Sequence, residues 1–474
     1  MKSKTGYLAG RRLNGIIGAM CYISAITSGV VFSVVPGELY VHGAGRAWFV
    51  IGLLFSLSLS WLFIPVKLND YCIKTGTVSL PLFLSKRYKE KKHTVRRLAA
   101  VIIIGVTLLT TVWIVSDCAK SLVILSGEKL SYQPAVFIVV VILMAYVVPF
   151  GFKGVNSVGV FGFALMMCIL VAVPVLIVIA MGGHGFVAGI SSSRPGCTVS
   201  DFLNIAKSGT ESIEVGSLIS RLTQGLAFFA LPILILYYTT YRNEKKLLLS
   251  RRLSVSLLLV MVVAACVIGV MGRAYLAPKV YISGENPGMI IYREIADKLS
   301  ADGLLPFVVK LLVYAGLPVA YITTADKCVY LTAMTISDEI NDDNGKGKKR
   351  LTQMVLSFII LVVAAIAAVG LEEKIRGWSE ISLEFMAVTL APVIITALYS
   401  KHMNKQGVVV GVLLGAAVLV AWKTVGLDAK LGVNCMPAGF LMNLLASVVT
   451  ARLTGGPGEE VEKEFEDVKY GLID

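Results

Sequence analysis

Apolar runs of roughly 20 residues recur from Leu13 to Arg452, each long enough to cross about 30 Å of hydrocarbon as a helix. A chain with so many such runs cannot close around one water-soluble core. It is 56% hydrophobic and only 16% charged, with a mean hydropathy of +0.78, whereas soluble domains carry roughly 25% charged residues. In lipid the backbone must satisfy its own hydrogen bonds, which selects helices. The runs are too long and too uniformly apolar for barrel strands. The expected fold is an all-α integral membrane protein with about 12 transmembrane helices.

The runs place spans near 14–35, 46–66, 98–125, 134–150, 158–181, 222–241, 253–275, 304–335, 351–370, 382–400, 406–424 and 434–452. Lysine and arginine gather in alternate loops: Lys2 to Arg12, Lys86 to Arg97, Arg242 to Arg252, Lys346 to Arg350, and Lys401 with Lys405. Basic loops stay in the cytoplasm, so both termini are expected inside a plasma-membrane protein. The net charge of +14 is therefore read as topology, and no nucleic-acid partner is expected. The first run follows Arg11 and Arg12 without a small-residue cleavage site, unlike a signal peptide.

Five helices used twice must appear upside down the second time, because five is odd. The expected organisation is a cytoplasmic amino terminus (1–13), a first repeat of spans 1–5 (14–181), an external loop (182–221), a second repeat of spans 6–10 (222–400), two peripheral spans (406–452) and an acidic cytoplasmic tail (453–474). Short surface helices are expected in the outer loops at 182–221 and 276–303. In the tail, Val461, Phe465 and Val468 sketch an amphipathic stripe, but a solvated tail is the plainer reading. The eight cysteines form no CxxC pair and are read as packing residues. No P-loop, paired carboxylates or His/Cys cluster appears, so neither an enzyme nor a bound cofactor is expected.

Several segments resemble the sodium:solute symporter family, and within it the sodium/proline symporters. Gly6 to Arg12 resembles the family's approach to its first core helix, and Ser24-Ala25-Ile26-Thr27-Ser28-Gly29 with Val35-Pro36-Gly37 resembles that helix. Ser79-Leu80-Pro81 with Lys86-Arg87-Tyr88 is similar to the loop TLPxYLxKRF. Thr323-Thr324-Ala325-Asp326 resembles STAD of the eighth core helix, and Ser337-Asp338-Glu339-Ile340 its TEDIY ending. Ala391-Pro392-Val393, Tyr399-Ser400-Lys401 and Gly407 follow the family's later pattern. The resemblance implies a five-plus-five inverted-repeat symporter fold with two extra C-terminal helices, alternating access and uptake driven by sodium. It also implies that the usual helix before the first core helix is missing.

The resemblance further implies a sodium site between the first and eighth core helices. Carbonyls of Ser24 and Thr27, the carbonyl of Ala320 and the hydroxyls of Thr323 and Thr324 would supply it. Residues 320, 323 and 324 share one helix face. A hard cation wants such oxygens, and carbonyls are free only where a helix is irregular, as the small and hydroxylated residues of 24–29 permit. Solute contacts carry over to Ser28, Gly29, Gln224 and Phe228. Pro232 would break or kink the sixth span. The chain departs from the family pattern at Ile26, where an acid or amide is usual, and across 158–162 and 230–233, which keep only Pro232 of the polar motifs.

Lys327 is the strongest anomaly, because a lysine within a span costs a few kcal/mol unless paired or hydrated. It follows Thr323 by four residues and so lies on the ion face one turn toward the cytoplasm, while the adjacent Asp326 points about 100° away. Either Lys327 lines an inner cavity and pairs with a carboxylate, or its ammonium stands in for sodium. Three functions follow. The first is sodium-coupled uptake of a small organic solute, an amino acid such as proline or a carboxylate, with Na+, the solute and the lipid bilayer as partners. The second is a sodium-independent or proton-linked carrier using Lys327, with Asp326 beside it. The third is a transporter-like membrane sensor or partner subunit.

Overall fold

The computed structural model describes residues 13–90, 92–182, 185–193, 198–208, 211–279, 287–300, 303–340, 346–375 and 377–470, with the backbone alone at 28, 193, 211, 346, 347 and 468–470. The segment Gly6 to Arg12 lies outside them. Among the described residues ten helices are long and apolar enough to cross a membrane, and two bent helix pairs bring the number to twelve.

The first span is α1 (Gly15–Ile26), a π-helical stretch (Thr27–Val34) and α2 (Val35–His42). A 59° bend separates Gly15–Ile26 from Gly29–His42. Then come α3 (Ala47–Phe63) with α4 (Pro65–Thr75), a short α5 (Leu80–Arg87), and spans three to five as α6 (Thr94–Leu125), α7 (Tyr132–Phe150) and α8 (Phe152–Ala180). The next connection holds α9 (Gly185–Ser193), α10 (Val199–Phe202) and a hairpin of β1 (Lys207–Ser208) and β2 (Glu211–Ser212). The sixth span is α11 (Val215–Thr223), a 3-10 turn (Gln224–Phe229) and α12 (Pro232–Tyr238), with a 49° bend. It begins seven residues before the sequence placed it.

Spans seven to ten are α13 (Glu244–Leu276), α15 (Leu304–Ile340), α16 (Lys346–Gly370) and α17 (Trp378–Tyr399), with α14 (Pro287–Leu299) between the first two. Then follow α18 (Lys405–Val425), the short α19 (Leu427–Leu431), α20 (Met436–Leu453) and α21 (Glu459–Tyr470). The surface helices expected in both outer loops are present.

Local chemistry explains the breaks. Pro232 has no amide hydrogen to donate and sits in the first turn of α12, where none is needed. Pro36 does the same in α2. Helix starts are capped by short polar side chains: Asn243 accepts from Lys245 N at 2.8 Å, and Asn404 from Gly407 N at 2.8 Å. Glu90 accepts from Val95 N at 2.9 Å and so caps α6.

The packing repeats itself with the halves exchanged. The first span packs on the seventh (α1 and α2 on α13), and the second packs on the sixth (α3 on α11 and the 3-10 turn). The fifth lies on the first (α8 on α1), and the tenth on the sixth (α17 on the 3-10 turn). The third packs on the eighth and the fourth on the ninth. Such an exchange is what two inverted five-helix units produce. Large apolar side chains such as Phe55, Val101, Phe137, Ile366 and Leu413 face outward, as a lipid solvent allows.

The tail corrects the sequence reading. It is not a free, solvated segment: α21 docks on the basic-loop face. Lys89 pairs with Glu460 at 2.8 Å and Glu464 at 3.0 Å, and Lys401 with Glu466 at 2.9 Å. Tyr71 donates to Glu464 at 2.9 Å. Val461 is buried, and Phe465 lies under the Arg87 guanidinium, 4.5 Å from its centre. An acidic amphipathic helix beside basic loops gains both charge pairing and apolar burial. The side chain of Val468 lies outside the described residues.

Candidate functional site

The bend in the first span places its irregular backbone directly against α15. Thr323 Oγ1 donates to the Ser24 carbonyl at 3.1 Å and lies 3.0 Å from the Ala320 carbonyl. Thr324 Oγ1 donates to the Ala25 carbonyl at 2.9 Å. In a regular α-helix those two carbonyls of α1 would be used by amides four residues later. Here the helix loosens at Thr27, and side-chain hydroxyls reach them. Ser24, Thr27, Ala320, Thr323 and Thr324 are all buried. The hydroxyl of Thr27 turns back to the Ile23 carbonyl at 2.9 Å, with the Met166 sulfur 3.6 Å away. Four of the five expected residues thus meet through oxygen contacts with the facing span or within α15.

The helix α8 closes this region from the side, through residues the sequence reading set aside as motif loss. A Cβ on Gly162 would stand 2.5 Å from Thr323 Cγ2. A Cβ on Gly159 would stand 3.1 Å from Ser24 Oγ, 3.4 Å from Lys327 Nζ and 3.5 Å from Cys21 Sγ. The two glycines let the backbone of α8 approach both facing spans. Their three-residue spacing was visible, but its meaning depended on which helix lay opposite.

Lys327 is wholly buried. Its ammonium donates to the Thr323 carbonyl one turn up its own helix and pairs with Asp326 Oδ1 at 3.3 Å. The lysine therefore bends around the helix to a neighbour expected to point away. Tyr146 on α7 donates to the other Asp326 oxygen at 2.9 Å. The ammonium thus rests on the backbone carbonyl of the residue whose hydroxyl meets Ser24. Nearby, Tyr237 donates to Asn156 Oδ1 at 3.1 Å and Cys21 Sγ lies 3.4 Å from the Asn156 carbonyl. Nothing in the sequence spacing pointed to Tyr146 or Asn156.

The expected solute residues sit at the two bends. Gly29 is covered by the ring of Tyr321, which a Cβ would meet at 2.5 Å. Gln224 opens the 3-10 turn, half-buried, and Phe228 lies buried within it. The Phe228 carbonyl accepts from Ser60 at 3.1 Å. The side chain of Ser28 lies outside the described residues. Aromatic layers flank the bends on both sides. Toward the basic loops, Tyr22, Trp61 and Tyr238 pack with ring centres 4.8–5.8 Å apart. On the opposite side, Phe32 stacks on Tyr292 of α14 at 4.7 Å. A small cavity lined by Ser79, Pro81, Pro232, Thr239 and Thr335 lies beyond the first layer.

Twelve spans in two inverted units, two bent helices and buried oxygens at one bend define a secondary active transporter. The family profile of the sodium:solute symporter family matches residues 7–415, so the chain belongs to that family. Its relatives include the high-affinity proline transporter PutP of Bacillus subtilis, 25% identical over 97% of this chain and 94% of that one. The osmoregulated proline transporter OpuE of the same organism is 24% identical over 97% and 91%. A sodium/proline symporter of Staphylococcus aureus is 23% identical over 98% and 90%. Among solved structures, a Na+-coupled sialic acid symporter superposes with a TM-score of 0.73 at 15% identity, covering 96% of this chain and 93% of that one. The nucleobase-cation-symport-1 family transporter Mhp1 does so at 0.59 and 11% identity, covering 97% of each. At these identities the likeness establishes a common fold.

Proposed function

We propose that this transporter takes up proline or a closely related small solute with Na+ by alternating access. In this reading the ion is held by the carbonyls of Ser24, Thr27 and Ala320 and the hydroxyls of Thr323 and Thr324. The solute rests by Ser28, Gly29, Gln224 and Phe228. The observation that carries it is the pair of threonine hydroxyls meeting the Ser24 and Ala25 carbonyls where the first span loosens. Hydroxyl and carbonyl oxygens are the donors a hard cation selects. The relatives named as proline transporters suggest the solute. The exchanged packing supports residues 14–181 and 222–400 as the two repeats, with 406–452 outside them. The basic loops support a plasma-membrane orientation with both termini in the cytoplasm.

A second reading, sodium-independent or proton-linked transport, is favoured by one observation: a fully buried lysine ammonium within a turn of the same oxygens. Uptake of labelled proline into proteoliposomes separates the two. The expected result is accumulation under an inward Na+ gradient that is lost when K+ or choline replaces Na+. Equal uptake without Na+ would sink the first reading. No proline uptake, with uptake of another amino acid or carboxylate, would replace the solute and leave the coupling standing.

A further inference from the structure

Sodium-coupled uptake as proposed gives Lys327 no work, yet it holds a charge where burial is costly. Its surroundings give that charge a direction. Asp326 is held toward α7 by Tyr146 at 2.9 Å. The ammonium reaches the other way, to the Thr323 carbonyl and the bare backbone of Gly159, beside Ser24 and Cys21. The ion pair is therefore a dipole whose positive end lies on the Thr323 carbonyl, with Ser24 Oγ and Cys21 Sγ beside the same glycine. The bonded Thr323 carbonyl belongs to the residue whose hydroxyl meets Ser24, so the ammonium stands within about one helical turn, some 5 Å, of the oxygen cluster. All of these groups are buried, and charges so close are screened little there. A bulky side chain at residue 159 would meet the ammonium. Glycine there leaves it in place, packed between α1, α8 and α15.

We propose that the Lys327 ammonium is a tethered cation that competes with Na+ for the oxygen cluster of Ser24, Ala320, Thr323 and Thr324, holding the sodium affinity of this transporter low. The inference rests on the reading that this cluster is the ion site. It assigns Lys327 as the residue that sets ion affinity, with Asp326 and Tyr146 as positioning residues that aim it.

The test uses the full chain in detergent and needs no solute. A cation that binds only the folded state raises the unfolding temperature with a concentration dependence set by its affinity. The midpoint is followed against NaCl, with choline chloride holding ionic strength constant. The double variant Asp326→Asn/Lys327→Met removes both charges together and so avoids stranding a buried carboxylate. It is expected to respond to Na+ at a concentration at least about tenfold lower than the parent, a change of about 1.4 kcal/mol. Lys327→Arg keeps the charge and is expected to stay within about threefold of the parent. Asp326→Asn/Lys327→Gln carries the same expectation as the first double variant where that one gives no cooperative transition.

A parent chain that ignores Na+ beside a double variant that responds would also support the proposal, as complete competition. The proposal falls if parent and neutral variants respond at the same Na+ concentration, since the lysine is then merely structural while the ion site stands. If neither responds although both unfold cooperatively, the oxygen cluster is no sodium site, and the underlying reading falls with the proposal.

Discussion

Asn443 of α20 donates its side-chain amide to the Val388 carbonyl of α17 at 2.7 Å, and to the Thr389 carbonyl at 2.8 Å. Val388 lies four residues before Pro392, so its carbonyl has lost the helical partner that a proline cannot supply. Ser447 donates in turn to Asn443 Oδ1 at 3.0 Å. The twelfth span, read from sequence as peripheral, thus completes the hydrogen bonding of the tenth. Asn443→Leu should leave the Val388 carbonyl unpaired in a buried site and destabilise the protein by about 1–2 kcal/mol. Thermal unfolding in detergent checks this. An unchanged midpoint would mean that the kink satisfies itself.

The two threonines of α15 offer a separable pair of outcomes. Thr323 Oγ1 touches carbonyls of both α1 and α15, whereas Thr324 Oγ1 reaches across to the Ala25 carbonyl of α1. Thr323→Ala should therefore raise the half-saturating Na+ concentration of uptake by about tenfold or more, equivalent to about 1.4 kcal/mol. Thr324→Ala should raise it by less. Serine at either position keeps the hydroxyl and should restore most of the affinity. Uptake measured against external Na+ decides the matter, and an alanine variant with parental sodium dependence would remove that oxygen from the site.

These contacts mark how far the sequence could be read. The spans were legible because hydrocarbon thickness and the cost of bare backbone leave a long apolar run one outcome. The serine, threonine and glycine content of 24–29 pointed to a loosening that the structure places at Thr27–Val34, just past the Ser24 and Ala25 carbonyls, and the shared face of 320, 323 and 324 was legible from helical periodicity. What could not be read were relationships between distant residues. Tyr146 meets Asp326 across 180 positions, and Asn443 meets Val388 across 55. Lys327 reached Asp326 because a long flexible side chain need not follow the direction of its Cα–Cβ bond, which is all that a helical wheel records.

The docked tail helix should act as a clasp across the basic-loop face. Its contacts join Tyr71 of α4 and Lys89 after α5 to Lys401 in the turn after α17. Surface pairs of this kind contribute little singly, so the apolar anchor should dominate. Phe465→Ala is expected to release α21 more completely than Glu460→Gln. Amide hydrogen exchange at 86–90, 399–405 and 459–470 reports the release. Raising KCl should loosen the Glu460 contact more than the Phe465 anchor. Equal protection in both variants and in the parent would show that α21 contributes nothing to holding these ends together.

The two glycines of α8 should differ in their tolerance of a methyl group, although both face the same region. At Gly162 an added Cβ would come within 2.5 Å of Thr323 Cγ2, a branched side chain fixed by its hydroxyl contacts. Relief requires α8 and α15 to separate, and overpacking of this kind typically costs about 1–3 kcal/mol. At Gly159 the nearest atoms are Ser24 Oγ at 3.1 Å and the end of a lysine at 3.4 Å, and a lysine end yields more readily. Gly162→Ala is therefore expected to lower both the unfolding midpoint and the sodium affinity, because it displaces Thr323 from Ser24. Gly159→Ala should leave the fold nearly intact while shifting the sodium response through Lys327. Thermal unfolding with and without NaCl distinguishes them. A Gly162→Ala protein that is as stable and as sodium-responsive as the parent would show that α8 does not fix the position of Thr323.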